Sequence, residues 1–215
     1  MLHILFVTDY VCPYCLVAKE ALRQALAETG IEAEILMQPL ELTEEPKERV
    51  DTWHDETRRA HYRILVEPAR QLGLDMKLPP KVIPRPYTRL AFEGWYFAEK
   101  KGLGDAYSDL MYRAYFIEEK DIGDPEVLAA LVQSLGLDPE EYRRALAEGV
   151  YSKEEKEAVA YSKDVLKVKG VPAIYINGRK VTLKTYTKEE MIGILTEQES
   201  ISDGEGFFCG PDGCN

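Results

Sequence analysis

A pair of cysteines separated by two residues stands between an apolar run and a stretch with helical spacing. Leu2–Thr8 (LHILFVT) is nearly continuous in apolar residues, which is typical of a strand buried on both faces. The motif CPYC at 12–15 follows, and apolar residues then recur at helical spacing up to Gly30, a typical helix stop. Residues 31–38 alternate between apolar and more polar side chains, which predicts a second strand. This order indicates a βαβ unit with parallel strands.

The chain changes character after the second strand and is mostly helical in pattern from about Pro46 to Lys169. Three segments have the pattern of a capped helix N-terminus, in which an N-cap side chain comes before proline at the first helical position or glutamate at the third. They begin at Asp124, Asp138 and Ser152. Aromatic residues at helical spacing are expected to pack mostly in the core of this block: Trp53, Tyr62, Trp95, Tyr96, Tyr107, Tyr112 and Tyr115.

β-structure returns after the helical block. Ala173–Ile176 and Lys180–Tyr186 flank the dipeptide 177–178 (NG), the strongest two-residue signal for a β-hairpin. The capping box at 187–190 (TKEE) predicts a closing helix that runs through about Gln198.

The order βαβ, helical block and ββα predicts an α/β protein with a thioredoxin fold and a large all-helical insert. We expect the thioredoxin-fold domain to comprise residues 1–45 and 166–198. The helical insert would comprise residues 46–165, and a C-terminal tail would comprise residues 199–215.

The cysteine pair has the arrangement of a reactive dithiol. Cys12 is expected at the N-terminus of the first helix, where Pro13 needs no N–H donor. The partial positive charge of a helix N-terminus stabilises a thiolate relative to a thiol. Cys15 would lie one turn further on, within reach of the Cys12 sulfur and more buried. We expect Cys12 to attack a disulfide and Cys15 to resolve the mixed disulfide.

Two other interpretations of the pair remain open. A CxxC motif is also half of many zinc sites, but no partner pair stands at the spacing of a zinc finger or ribbon. His54 and His61 could share one helix face as ligands, although a solvated helix face explains them as well. The third interpretation is a buried structural couple. We favour redox chemistry and expect no metal and no cofactor apart from the redox-active disulfide Cys12–Cys15.

The tripeptide Gly170-Val171-Pro172 precedes the strand AIYI and strengthens the redox interpretation. In thioredoxin folds the corresponding Val-Pro bond is cis and packs against the CxxC motif. A cis bond would expose the carbonyl and N–H of Val171, which can then bind an extended substrate peptide. The alternative is an ordinary trans proline at the start of an edge strand.

With these motifs the sequence resembles the DsbA-like thioredoxin superfamily, and within it the FrnE-like branch of dithiol–disulfide oxidoreductases. The likeness covers nearly the whole chain, from DYVCPYC and QPLEL through RPYTRLAFEGWYFAEKKG and LMYRAYFIEEKDIGDPEVLAALVQSLGLD to KGVPAIYINGR. It implies that Cys12 is the nucleophile, that Cys15 is its resolving partner, and that Val171 and Pro172 form the cis-proline loop.

The dipeptide between the cysteines departs from part of that family. Pro13-Tyr14 matches glutaredoxins, whereas the strongly oxidising periplasmic DsbA enzymes carry Pro-His. Because Tyr14 has no cationic form to stabilise a reduced thiolate, we expect a less oxidising couple, near the glutaredoxin range of about −200 to −230 mV.

A second cysteine pair lies in the tail. Cys209 and Cys214 bracket Gly-Pro-Asp-Gly, which favours a tight turn and would bring the two thiols within disulfide range. Some FrnE-like proteins resemble this in carrying a C-terminal pair with four residues between. Three interpretations of this pair remain open. The first is an auxiliary dithiol that exchanges with Cys12–Cys15. The others are a pair of incidental thiols in a disordered tail and part of a four-Cys zinc site.

Composition excludes several classes of partner. The net charge is −11, the isoelectric point is about 4.9, and Lys and Arg form no continuous basic run, so nucleic acid and anionic membrane are poor partners. The N-terminal residues have no basic segment before a long apolar run, so we expect no signal peptide and a cytoplasmic location.

The function that these features favour is a thiol–disulfide oxidoreductase that reduces or isomerises disulfides in proteins and peptides, with glutathione or a thioredoxin system as electron donor. The alternative enzyme is a glutathione-dependent transferase of the kappa type or a 2-hydroxychromene-2-carboxylate isomerase, which share the fold and the helical insert. That class typically has a single active-site Ser or Cys, so the intact CPYC counts against it. A metal-binding or chaperone-like module is a third hypothesis.

Overall fold

This computed structural model describes residues 1–202, 209–210 and 213–214, and a mixed sheet of four strands lies at its centre. The strands are β1 (Leu2–Thr8), β2 (Ala33–Pro39), β3 (Ala173–Ile176) and β4 (Arg179–Val181), in the spatial order β2-β1-β3-β4. β1 pairs with β2 in parallel and with β3 antiparallel, and β4 is antiparallel to β3. The predicted thioredoxin fold is confirmed.

Helix α1 (Pro13–Thr29) connects the two parallel strands as the sequence predicts. Proline stands at its first position, and Gly30 ends it in the left-handed conformation with φ 70°. The N–H of Gly30 bonds to the Leu26 carbonyl at 2.9 Å, which satisfies a carbonyl that the helix end leaves open. The apolar face of α1 is buried and packs against the last helix of the chain.

Strand β2 is confirmed, and it is only partly buried. It lies at the edge of the sheet, and Ile35 and Leu36 are 47% and 55% exposed. By contrast, β1 is central, and its last three residues are all buried, as its apolar run predicts.

The middle of the chain is helical, as predicted. Asp124 and Asp138 cap their helices by accepting the N–H groups of Glu126 at 2.8 Å and Glu140 at 2.9 Å. Ser152 is instead the first residue inside its helix and makes no capping bond, so that predicted cap is wrong. The segments are α2 (Glu56–Tyr62), a 3₁₀ turn (Arg63–Leu65), α3 (Val66–Gln71), α4 (Arg89–Glu99), α5 (Gly104–Phe116), α6 (Pro125–Val132), a second 3₁₀ turn (Gln133–Leu135), α7 (Pro139–Ala147), α8 (Ser152–Ala160) and a π-helical turn (Tyr161–Val165).

The hairpin turn is confirmed, since Asn177 and Gly178 both have positive φ, at 49° and 77°. β4 ends at Val181, short of the predicted Tyr186. The backbone N–H groups of residues 184–186 donate to the Glu190 carboxylate at 2.7 to 2.9 Å, and so they are not available to a strand ladder.

Helix α9 (Lys188–Ser202) follows the hairpin and extends beyond the predicted end at Gln198. Thr187 caps it as predicted, because its hydroxyl accepts the N–H of Glu190 at 3.2 Å. In the part of the chain that is described, no helix is both long and apolar enough to cross a membrane.

The backbone of the tail forms a two-residue ladder of β5 (Cys209–Gly210) and β6 (Gly213–Cys214), with Cys209 opposite Cys214. The side chains of both cysteines lie outside the described residues, so their predicted role as an auxiliary redox pair stays a prediction.

Candidate active site

The thiol of Cys12 lies at the N-cap of α1. Its backbone is extended (φ −95°, ψ 113°), and its carbonyl accepts the N–H of Cys15 at 3.1 Å and that of Leu16 at 3.4 Å. Pro13 takes the first helical position, where an N–H group would have no acceptor. The sulfur is thus at the positive end of the helix dipole, which favours a thiolate.

Cys15 lies one turn further along the helix and has no exposed surface, whereas Cys12 is 4% exposed. Both are free thiols. Burial raises the pKa of Cys15 well above its ordinary value, and the neighbouring Cys12 raises it further. A hydrogen bond from the Thr8 hydroxyl and a backbone bond at Asp9 oppose this effect. Burial therefore favours the protonated form of Cys15.

The loop before β3 faces the cysteine pair. The Val171–Pro172 peptide bond is cis, and the Cys12 thiol donates to the Val171 carbonyl oxygen at 3.4 Å. The pairing of Ala173 with Val7 brings this loop to the end of β1, next to the CPYC motif. The four motif residues and the Val-Pro pair, predicted as site residues from the sequence, thus lie together.

Three tyrosines border the Cys12 sulfur. The rings of Tyr14 and Tyr186 are 5.1 Å apart, and the Tyr14 hydroxyl donates to the His61 carbonyl at 3.1 Å. Burial, and next the charge on Cys12, raises the pKa of Tyr186 to about 12. Burial followed by the same charge raises the pKa of Tyr14, and the charge on Cys12 also contributes to the raised pKa of the buried Tyr62.

A buried carboxylate holds the segment that precedes Cys12. Asp9 has no exposed surface and accepts the backbone N–H groups of Leu42 at 2.7 Å and Val11 at 3.4 Å. Burial raises the pKa of Asp9, while the bond from Leu42 and the charge of Arg85 oppose this shift. The carboxylate therefore ties the turn before the dithiol to the loop that follows β2.

Three residues of the site, Thr8, Asp9 and Tyr186, lie outside the motifs that predicted it. Thr8 and Asp9 are polar residues at the end of an apolar strand, and buried polar side chains need partners, so this pattern is a usable signal. Tyr186 has no such signal, because its positive φ of 58° and its contact with Tyr14 depend on the path of the loop after β4.

Metal ligation was the main alternative for the cysteine pair. Within residues 1–202, no group of three or more His, Cys, Asp or Glu side chains is arranged to hold a metal ion. The Nδ1 atom of His54 is hydrogen-bonded to the Asp51 carboxyl at 2.8 Å, and His61 is on α2.

Comparison with known proteins agrees with this geometry. The family model for the DSBA-like thioredoxin domain matches residues 3–189. The uncharacterized protein YwbO of Bacillus subtilis (strain 168) is 33% identical over 175 residues, which span 81% of this chain and 86% of that protein. The crystal structure of a probable DsbA oxidoreductase from Streptomyces coelicolor has a TM-score of 0.78 at 24% identity, and the match covers 100% of this chain and 99% of that one.

Two further solved structures have the same fold. The cytosolic disulfide reductase DsbM from Pseudomonas aeruginosa, also solved with GSH, has a TM-score of 0.66 at 18% identity, with 93% of this chain and 99% of that chain covered. A 2-hydroxychromene-2-carboxylate isomerase has a TM-score of 0.71 at 14% identity, and the match covers 95% of this chain and 100% of that one. At such identities these structures show a shared fold alone. Because the family model spans most of the sequence, the chain belongs to the DSBA-like thioredoxin domain family.

Proposed function

We propose that the chain is a thiol–disulfide oxidoreductase that reduces or isomerises disulfides in proteins and peptides through Cys12 and Cys15. The observation that carries the proposal is the position of the Cys12 sulfur at the N-cap of α1, 3.4 Å from the Val171 carbonyl oxygen. Membership of a family of DsbA-like thiol–disulfide oxidoreductases supports it.

In the proposed reaction the Cys12 thiolate attacks one sulfur of a substrate disulfide, and the other substrate sulfur leaves as a thiolate. Cys15 then loses its proton and attacks Cys12, which forms the Cys12–Cys15 disulfide and releases the second substrate thiolate. Two electrons pass from the dithiol to the substrate. Because Cys12 is only 4% exposed, we expect the substrates to be extended or flexible segments that enter beside Val171.

The direction of the reaction follows from the compartment that we propose. In a cytoplasmic environment thiols are kept reduced, so reduction or isomerisation is favoured over net oxidation. The description of DsbM as a cytosolic disulfide reductase, and its structure with GSH, support this direction and favour glutathione over a thioredoxin system as donor. Assignment to the FrnE-like branch is part of the same proposal.

The decisive experiment is the reduction of insulin and the refolding of scrambled ribonuclease with glutathione as donor. Cys12→Ser should reduce turnover by at least about 1000-fold, because the nucleophile is lost. Cys15→Ser should still attack but should stop at a stoichiometric mixed disulfide, which intact-mass analysis detects. The double variant Cys209→Ser/Cys214→Ser keeps the motif and separates the two pairs: it should retain turnover through Cys12 and Cys15, and a partial loss would measure the contribution of the tail pair. Turnover that survives Cys12→Ser would contradict the proposal.

The alternative is a glutathione-dependent transferase or isomerase, and the shared fold with 2-hydroxychromene-2-carboxylate isomerase is the observation that favours it. Such an enzyme needs one nucleophile and no resolving thiol. Glutathione conjugation or isomerisation that persists at full rate in Cys15→Ala would favour this function, whereas loss of disulfide turnover in the same variant would favour the dithiol mechanism.

A further inference from the structure

The second step of the proposed reaction requires a proton to leave a thiol that has no contact with solvent. Cys15 has no exposed surface, and burial raises its pKa well above the ordinary value. Only the thiolate attacks a disulfide, so resolution is slow unless a neighbouring group accepts this proton.

Two buried hydroxyl groups lie behind Cys15. Thr8, the last residue of β1, has its hydroxyl near enough to Cys15 to counteract the rise in the pKa of that thiol, and the same hydroxyl is hydrogen-bonded to the phenol oxygen of Tyr112. Thr8 and Tyr112 are each only 1% exposed. Burial, and next the charge on Cys15, raises the pKa of Tyr112 well above its ordinary value, so its phenol stays neutral and keeps both a donor and an acceptor.

A cavity of about 550 Å³ reaches these hydroxyls from the protein surface. Thr8 and Tyr112 line it together with Ser108, and the charged side chains of Lys19 and Asp105 stand in its wall. Asp105 is 86% exposed, so the cavity opens to solvent, and its volume is large compared with the roughly 30 Å³ that one water molecule occupies. None of residues 12–15 lines it, so the cavity approaches Cys15 from behind Thr8 rather than through the CPYC turn.

We propose that Thr8 and Tyr112 form a proton relay between the Cys15 thiol and water in this cavity, an inference that rests on the proposed dithiol function. As Cys15 attacks, its proton passes to the Thr8 oxygen, the Thr8 hydroxyl proton passes to the Tyr112 oxygen, and the Tyr112 proton passes to water. The Cys15–Cys12 bond forms, the bond between Cys12 and the substrate sulfur breaks, and its electron pair leaves with the substrate thiolate. In this relay Thr8 accepts the proton of Cys15 directly, and Tyr112 acts on Cys15 through Thr8.

The carboxyl of Asp9 is the competing proton acceptor, because Asp9 follows Thr8 and its backbone N–H is near enough to Cys15 to lower the pKa of the thiol. Its carboxylate is committed elsewhere: one oxygen accepts the N–H of Val11 and the other accepts the N–H of Leu42. The hydroxyl of Thr8 is the side-chain group that both contacts Cys15 and continues toward the cavity.

The test separates the two steps of the reaction in single turnovers with a peptide disulfide, quenched in acid and analysed by mass. Thr8→Val and Tyr112→Phe remove one hydroxyl each. We expect both variants to form the mixed disulfide within about twofold of the wild-type rate. They should resolve it about 10- to 100-fold more slowly, so that it accumulates, since proton transfer typically contributes at least this much.

The matched control is Tyr107→Phe, which deletes an equally buried phenol oxygen that bonds to Tyr142 at 2.7 Å. The mixed disulfide should not accumulate in this variant. Thr8→Ser, which keeps a hydroxyl, should resolve at nearly the wild-type rate. In Thr8→Val the rate at which the mixed disulfide is resolved should rise about tenfold per pH unit, because only Cys15 that is already a thiolate reacts. The wild-type rate should rise less steeply with pH.

Wild-type resolution rates in both Thr8→Val and Tyr112→Phe would overturn the relay and leave the proposed function intact. Equal slowing in Thr8→Ser and Thr8→Val, or in Tyr107→Phe, would overturn it as well, because the effect would then reflect packing. A wild-type protein that forms neither a mixed disulfide nor the Cys12–Cys15 disulfide would instead contradict the proposed function.

Discussion

The interior of the molecule has two parts with different chemistry. The sheet layer, defined as β1–β4 with α1, buries mainly aliphatic side chains such as Ile4, Leu22 and Ile176. The helical block, defined as α2–α8, buries many hydroxyl-bearing rings and carboxyl groups as well. The hydroxyls of Tyr107 and Tyr142 in this block bond to each other at 2.7 Å with no exposure of either residue.

This difference sets how each part tolerates change. An aliphatic side chain gains free energy from burial without a specific partner. A buried hydroxyl or carboxyl costs free energy unless a partner meets it with the right geometry. Glu93 in the helical block bonds to Arg89 at 2.6 Å, yet its other carboxyl oxygen and one oxygen of Glu155 have no hydrogen-bond partner among the described residues. The same is true of one oxygen of Glu41, which precedes the block in the chain. We therefore expect the helical block to be the more sensitive part.

The largest effect should come from Gly94→Ala in α4. An added Cβ would lie 2.7 Å from Cζ of Tyr142 and closer still to the hydroxyl oxygens of Tyr142 and Tyr107. Overpacking costs about 1–3 kcal/mol, and disruption of the tyrosine pair adds about 1 kcal/mol or more. The contact distances are far below van der Waals contact, so the upper end of these costs applies, and the free energy of unfolding from urea denaturation should fall by about 4 kcal/mol or more.

The matched control is Gly193→Ala in α9, where an added Cβ meets no heavy atom of the described residues within 4 Å. A helix-interior alanine is favoured over glycine by about 0.5–1 kcal/mol, so this substitution should stabilise the protein. A similar loss in the free energy of unfolding in both variants would show that the helical block is no more tightly constrained than α9.

The next effect in size is a dependence of stability on pH that arises at Glu41 and Glu155. Burial, and next the charge of Glu155, raises the pKa of Glu41 to about 8, and burial raises that of Glu155 to about 7. A proton held between these carboxyls supplies the donor that their unpartnered oxygens lack. Both pKa values lie above the ordinary 4.5, so this contribution to stability is complete below pH 4.5 and is lost as the pH rises through 7 and 8.

We expect the free energy of unfolding to fall by about 2–4 kcal/mol between pH 5 and pH 9, as urea denaturation at each pH would measure. Glu41→Gln keeps a neutral side chain at the site and should flatten this profile, with its largest gain at pH 9. Glu48→Gln, on an exposed residue, should leave the slope unchanged. A profile for Glu41→Gln that is as steep as the wild-type profile would contradict the assignment.

The same contrast explains what the sequence could predict. The strand at Leu2–Thr8, the helix stop at Gly30 and the hairpin turn at Asn177 depend on local signals, and the structure confirms each of them. The contacts of Thr8 with Tyr112 and of Asp9 with Leu42 join residues far apart in the sequence, and no periodicity encodes them. The domain boundaries and the roles of the site residues stay predictions.

The smallest effect tests local signals within the helical block itself. Asp124 caps α6 through a bond at 2.8 Å, whereas Ser152, predicted from a similar pattern, makes no capping bond. Asp124→Ala should lower the free energy of unfolding by about 1 kcal/mol, because the N–H of Glu126 loses its acceptor. Ser152→Ala should change it by less than about 0.5 kcal/mol, because alanine is the better helix former. Equal losses from the two substitutions, measured by urea denaturation, would mean that Ser152 caps its helix after all, and that sequence signals are as reliable in this block as in the sheet layer.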